Sequence, residues 1–266
     1  MQIIRKNLRA LNPLIHCITN PISINQCANA ILAVGARPMM AEHPAEVSEI
    51  TETAGALLLN LGNITDVRLQ SMQIAAEAAK AHQIPFVFDV VGIACSSLRL
   101  NFAHTLLKQC TPQIIKGNAS EIYALYDAHY KSAGVDADAA LDLHSTARIA
   151  AALAQKYNTV ILVSGKTDII TNGKSIICIH NGTPQLATVT GTGCMLGALC
   201  ACYASVADGI SAAKTACAVL SISGQLSETD SGCGSFMLRL MDKISTLTDE
   251  DINKYLRLEE TQIEKL

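Results

Sequence analysis

The chain has 266 residues, half of them hydrophobic and 16% charged, with a formal net charge of −3. That balance excludes intrinsic disorder, the length removes the need for a disulfide-stapled scaffold, and the sign of the charge offers no basic footprint for nucleic acid. With no Trp, four Phe and six Tyr, the core must come from Leu, Ile, Val and Ala, and 1–266 reads as one domain.

The elements follow in order. The first twelve residues alternate charged and apolar side chains, with no apolar stretch leading to a cleavage site. Pro13 to Ile18 is a short strand. Ile22 to Val34 has helical spacing and stops at Gly35. Arg37 to Ala41 is short again, and Pro44 opens a predicted helix through Ala54. Ala56 to Leu61 is a nearly continuous apolar run, the mark of a strand buried on both faces. Thr65 N-caps a helix to His82, and Phe86 to Val91 is a second buried strand. Arg99 to Cys110 reads as helix, Gln113 to Ile115 as strand, and Asn118 as the start of another helix. A polar stretch at Lys131 to Asp138 precedes an Ala-rich helix ending at Tyr157. Thr159 to Val163 is a strand. Asp168 to Thr171 and Ser175 to His180 flank Asn172-Gly173, a pair that favours a type I′ hairpin. From Cys194 the chain reads as helices only.

Strand–helix alternation predicts an α/β fold, a mostly parallel sheet covered on both faces, with an antiparallel edge and a helical C-terminal part. No run of about 18 uninterrupted apolar residues is present, so the expectation is a soluble cytoplasmic protein with no membrane partner. No two of the ten cysteines have C-x-x-C spacing, and most read as reduced packing residues. His82, His104, His129 and His144 fall in predicted helices. His16 and His43 lie near strand ends, but spacing pairs neither with a nucleophile.

Ligands in such sheets bind beyond the carboxyl ends of the strands, so the strand–helix junctions are searched for chemistry. The strongest is Val189-Thr190-Gly191-Thr192-Gly193-Cys194-Met195-Leu196-Gly197. A glycine turn entering a helix brings backbone N–H groups and a partial positive charge to an anion, and Cys194 stands in that field. Neither a P-loop nor a nucleophile elbow occurs. Lys116-Gly117-Asn118-Ala119-Ser120-Glu121 reads either as a capping box or as a charge site, with Lys116 toward phosphates and Glu121 holding a hydrated Mg²⁺. Asp89 ends a buried strand, where a carboxylate is expensive unless paired or used. It is a turn cap or a second Mg²⁺-associated group. Near the N-terminus, Asn20, Asn25 and Asn29 gather at one junction, as for a small polar ligand. Met40 lines either a pocket or the core.

Taken together, P-L-I-H-C-I-T-N-P-I-S-I-N-Q-C-A-N-A-I-L-A-V-G-A-R-P-M-M from Pro13, D-V-V-G at 89–92, K-G-N-A-S-E at 116–121, V-S-G-K at 163–166 and V-T-G-T-G-C-M-L-G at 189–197 resemble the hydroxyethylthiazole kinases of thiamine salvage, in order and approximate spacing. The resemblance implies a ribokinase-like fold and transfer of the ATP γ-phosphoryl group to the primary alcohol of 4-methyl-5-(2-hydroxyethyl)thiazole with Mg²⁺. It further implies a homotrimer with sites at subunit interfaces. By matching motif, Asn25, Met40 and Gly191 would contact the thiazole. Lys116 and Ser164 would contact ATP, and Asp89 and Glu121 would organise Mg²⁺ and phosphates. Cys194 would take the catalytic position that the wider superfamily fills with Asp. The sequence departs from the family at Val90, where proline is usual, and at Ala94, where glycine is. Two alternatives stay open at this point: a related kinase of another small alcohol such as a hydroxymethylpyrimidine, and a thiazole-binding protein that has lost catalysis.

Overall fold

The computed structural model describes residues 1–127, 130 and 142–263; the polar stretch 131–138 and His129 lie outside them. Strands β1 (Leu14–Ile18), β2 (Arg37–Met39), β3 (Ala56–Asn60), β4 (Phe86–Asp89), β5 (Ile114–Asn118) and β6 (Val160–Ser164) pair in parallel. Strands β7 (Asp168–Thr171), β8 (Ser175–Ile179) and β9 (Leu258–Gln262) extend the sheet antiparallel. The order across the sheet is β2-β1-β3-β4-β5-β6-β7-β8-β9.

The parallel strands are apolar runs because both faces are covered, and their alternate residues split between two cores. Leu58, Val87, Ile114 and Leu162 face one core; Leu57, Leu59, Phe88, Ile115 and Ile161 face the other. On the first face lie α1 (Gln2–Leu11), α2 (Ile24–Val34), α8 (Thr192–Ala204), α9 (Gly209–Leu226), α10 (Cys233–Thr246) and α11 (Asp249–Tyr255). On the second lie α3 (Val47–Thr53), α4 (Asp66–His82), α5 (Ser97–Gln109), α6 (Ala119–Tyr126) and α7 (Leu143–Tyr157). The split follows from handedness. The β1–α2–β2 crossover runs toward one edge and the β3-to-β6 crossovers toward the other, so right-handed connections place their helices on opposite faces. The direction reverses between β1 and β3, which opens a crevice at their carboxyl ends.

Local signals act where expected. The Thr65 hydroxyl accepts the Arg68 N–H at 3.2 Å at the start of α4, and Gly35, at φ 95°, closes α2. Four expectations change. Within the first twelve residues Gln2–Leu11 form α1, whose buried Leu8 and Arg5 face the core, with Arg5 bound to Asp249 and the Leu247 carbonyl. The helix expected from Pro44 starts at Val47. The hairpin is not type I′, because that turn needs positive φ at both central residues and only Gly173 (φ 83°) has it. Instead the Asn172 carboxamide accepts the N–H groups of Lys174 and Ser175 at 3.0 and 3.1 Å. Finally, the C-terminal helices are followed by β9. Its residues are mostly exposed and polar, so hydrophobic patterning gives no sign of it. Among the described residues no helix is long and apolar enough to cross a membrane.

Candidate active site

The carboxyl ends of the parallel strands carry polar or flagged residues in sheet order: Met40 after β2, Asn20 after β1, Asn60 on β3, Asp89 on β4, Lys116 on β5 and Ser164 on β6. Helix α8 enters over the middle of this row. Its N-cap, Gly191, has φ 91°, a conformation that side chains resist, and a Cβ there would stand 3.1 Å from Ser23 Cβ. Six residues on, a Cβ at Gly197 would meet Asp89 Oδ2 at 3.2 Å and Leu58 Cδ1 at 3.3 Å. The two glycines therefore let the helix start against α2 and lie on the ends of β3 and β4.

That approach brings Cys194 into a buried network. Asn20 Nδ2 donates to its Sγ at 3.2 Å and Asn60 Nδ2 at 3.4 Å. Asn60 Nδ2 also donates to Asp89 Oδ2 at 2.9 Å, while Asn60 Oδ1 accepts from Asn20 Nδ2 at 3.2 Å and from the Gly62 N–H at 2.9 Å. The Ser23 N–H, at 3.1 Å from Asn20 Oδ1, holds Asn20 in this orientation. Two carboxamides thus lock together at the crevice between β1 and β3, and both present N–H donors to the sulfur.

Asp89 and Lys116 complete the network. Lys116 Nζ lies 3.1 Å from both Asp89 oxygens, and both side chains are almost wholly buried. Burial alone would lower the Lys116 pKa, but the Asp89 and Glu121 carboxylates outweigh it and hold the ammonium above its usual range. Burial pushes Asp89 up against the pull of Lys116 and Asn60. With an ammonium on both oxygens, the ion pair is the form we assign at neutral pH. Lys116 is thus a buried partner of Asp89 beside the α8 N-terminus, where a Cβ at Gly193 would stand 3.8 Å from Nζ.

Glu121 forms the full capping box with Asn118. Its oxygens accept the N–H groups of Gly92 and Asn118, each at 2.7 Å. Burial, then the Asp89 charge, pushes its carboxyl up to about 7 against those two donors and Lys116. The capping and charge readings of this segment are therefore compatible. Ser164 is half-buried and donates to the Gly117 carbonyl at 3.4 Å. Met40 is half-buried against the first core. Asn25 stays outside the network: it is exposed on α2 and accepts from Asn29 at 2.9 Å. Asn60 is the residue that sequence reasoning passed over. The signal was present, since a polar side chain ending an all-apolar strand was the reason for flagging Asp89. Among the described residues no three His, Cys, Asp or Glu side chains gather as a metal cage.

A model of the hydroxyethylthiazole kinase family matches residues 5–250. The chain belongs to this family. It is 42% identical over 260 residues to hydroxyethylthiazole kinase 2 of Clostridium botulinum strain Langeland, covering 96% of this chain and 98% of that one. Its fold matches that of a hydroxyethylthiazole kinase from Pyrococcus horikoshii OT3 with a TM-score of 0.89 and 29% identity, covering 98% of this chain and 100% of that one. A ribokinase-like superfamily protein from Enterococcus faecalis shares the fold, with a TM-score of 0.64, 14% identity and coverage of 91% and 88%. Against the hydroxyethylthiazole kinase pattern, the departure at Val90 has a visible consequence. The Val90 N–H donates to the Lys116 carbonyl at 2.8 Å, a bond that proline lacks the hydrogen to make.

Proposed function

We propose that this kinase transfers the γ-phosphoryl group of ATP to the primary alcohol of 4-methyl-5-(2-hydroxyethyl)thiazole, supplying the thiazole phosphate of thiamine biosynthesis. The observation that carries the reading is the Cys194 network at the crevice between β1 and β3, placed at the first turn of α8. Such transfer needs positioning and charge neutralisation more than covalent help from the protein. The N–H groups opening α8 are an anion site, and Lys116 adds a fixed positive charge beside them. Cys194 Sγ, oriented by Asn20 and Asn60, receives the substrate O–H. As the alcohol oxygen bonds to the γ-phosphorus and the bridging oxygen leaves with ADP, the proton passes to Sγ, which takes it as the thiolate and ends the step as the thiol. On the thiazole side we place Met40, Gly191 and Asn25; on the nucleotide side, Lys116 and Ser164.

The residues present fit Mg²⁺. When Glu121 is ionised, it and Asp89 face one ammonium, a negative excess that a hydrated dication would balance. They would hold it through water, and the ion would neutralise phosphate charge. For the assembly we propose a homotrimer with shared sites. Exposed Ile22 in the turn before α2, Leu32 on α2 and Met39 on β2 supply apolar surface beside the thiazole end of the row. All ten cysteines are free, which suits a reducing cytoplasm where ATP is made.

The test is ATP-dependent consumption of hydroxyethylthiazole by the purified enzyme, beside a panel including hydroxymethylpyrimidine and pyridoxal. Preference for the thiazole by at least tenfold in kcat/KM supports the reading; preference for another alcohol, or no turnover, overturns it.

A further inference from the structure

The segment carrying Met40 leaves β2 and meets no regular element before α3, yet side chains from two distant elements hold it. His16 on β1 is wholly buried. Its Nε2 lies 3.0 Å from the Ala41 carbonyl and its Nδ1 2.8 Å from Thr51 Oγ1. A carbonyl can only accept, so Nε2 donates to Ala41, while the single Thr51 hydroxyl proton is shared between Nδ1 and the Val47 carbonyl, which lies 2.7 Å from Oγ1. Ser71 on α4 donates to the Glu42 carbonyl at 2.7 Å. Arg68, also on α4, grips the Glu42 carboxylate through Nε at 2.7 Å and Nη2 at 3.3 Å, and its Nη1 donates to the Asn63 carbonyl at 2.7 Å. The two residues after Met40 are therefore fastened from both sides, Ala41 to the sheet and Glu42 to α4.

We propose that His16 and the Arg68–Glu42 fork are positioning residues that set thiazole affinity by fixing Met40. The inference rests on the reading that Met40 contacts the thiazole. A backbone carbonyl bond fixes where the segment starts, and a planar two-bond fork fixes its rotation. Neither group belongs to the Cys194 network, so the clamp acts on substrate binding and not on the transfer step. Glu42 is 44% exposed at its side chain, so Glu42→Gln removes the charge of the fork without emptying the core.

The experiment is steady-state kinetics of the intact enzyme with hydroxyethylthiazole and MgATP, for Glu42→Gln, Arg68→Lys, His16→Ala, His16→Gln, Met40→Ala and the Glu42→Gln/Met40→Ala double variant. Loss of binding that is equal in ground and transition states raises KM alone. We expect Glu42→Gln and Arg68→Lys to raise the thiazole KM about fivefold, with kcat and the ATP KM within about twofold. His16→Ala should raise it about tenfold, and His16→Gln should recover most of that, since its amide can still donate to Ala41. In the Met40→Ala background, Glu42→Gln should add nothing. An unchanged thiazole KM in Glu42→Gln, or additive effects in the double variant, overturns the clamp even where Met40→Ala confirms the substrate site. Met40→Ala without effect on the thiazole KM overturns both readings.

Discussion

Cys194 accepts from two carboxamides whose own orientations are fixed by further bonds, so its sulfur is held at one point in space. We expect Cys194→Ala to lower kcat about 10²-fold, the scale of a positioned acid–base group, while costing stability only about 1 kcal/mol. Cys194→Asp should keep turnover, because Asn20 and Asn60 can donate to a carboxylate as they do to sulfur. Wild-type kcat in the Ala variant would remove the residue from the mechanism. Lys116 carries a different consequence. As a nucleotide contact alone, its loss would raise the ATP KM and leave the fold intact. Its ion pair with a wholly buried Asp89 adds a structural cost, since removing one partner strands the other. Lys116→Ala should therefore raise the ATP KM and also lower unfolding stability by about 3–5 kcal/mol. Urea denaturation of the variant checks this, and an unchanged midpoint would count against the ion pair.

At the scale of elements, the turn from β6 to β7 depends on another buried carboxyl. Asp168 Oδ1 accepts the Gly165 N–H at 3.1 Å and Oδ2 the Ser221 hydroxyl at 3.3 Å, which ties the segment after Ser164 to α9. Burial pushes the Asp168 carboxyl up to about 6, against the N–H of Gly165 and the bonds from Ser221 and Cys217. Its ordinary value is 3.8. Between those values the folded chain keeps the proton and the unfolded chain releases it, so raising the pH favours unfolding. This contribution is complete below about pH 4 and is lost as pH rises through about 6, by at most about 3 kcal/mol. Asp168→Asn, which stays neutral and keeps an acceptor for Gly165, should abolish it. The measurement is the difference in urea midpoint between wild type and variant at pH 4.5 and 7.5. A difference that does not change with pH would contradict the assignment.

At the scale of the molecule, six strand ends present one row of side chains because the strands are parallel, and α8 reaches it from a point about seventy residues beyond β5 in the chain. The trimer proposal belongs here. Ile22 is 62% exposed at the mouth of α2, and a buried interface there would not tolerate a charge. Ile22→Glu should shift the sedimentation coefficient from trimer to monomer at micromolar protein and weaken thiazole binding in step. A wild-type monomer with full activity would defeat the proposal.

The sequence by itself determined the alternating elements, the buried strands and the glycine turn into α8. Each is a local matter of apolar period, caps and backbone freedom, readable within a few residues. Asp89, Lys116, Glu121 and Cys194 were flagged for the same reason: chemistry-bearing groups at strand–helix junctions stand out locally. The tertiary structure alone decided which of them meet. Asn60 joins Cys194 across 134 positions, a contact that exists only because β3 pairs with β1 and α8 crosses their ends. Lys116, expected to face phosphates, also pairs with Asp89, because β4 and β5 are neighbours in register at those two residues. β9 stayed unseen because an exposed, polar edge strand is stabilised by backbone pairing with β8 and carries no hydrophobic period. Local pattern sets what each segment is; strand order sets what it faces, and that order is chosen by burying both sheet faces at once.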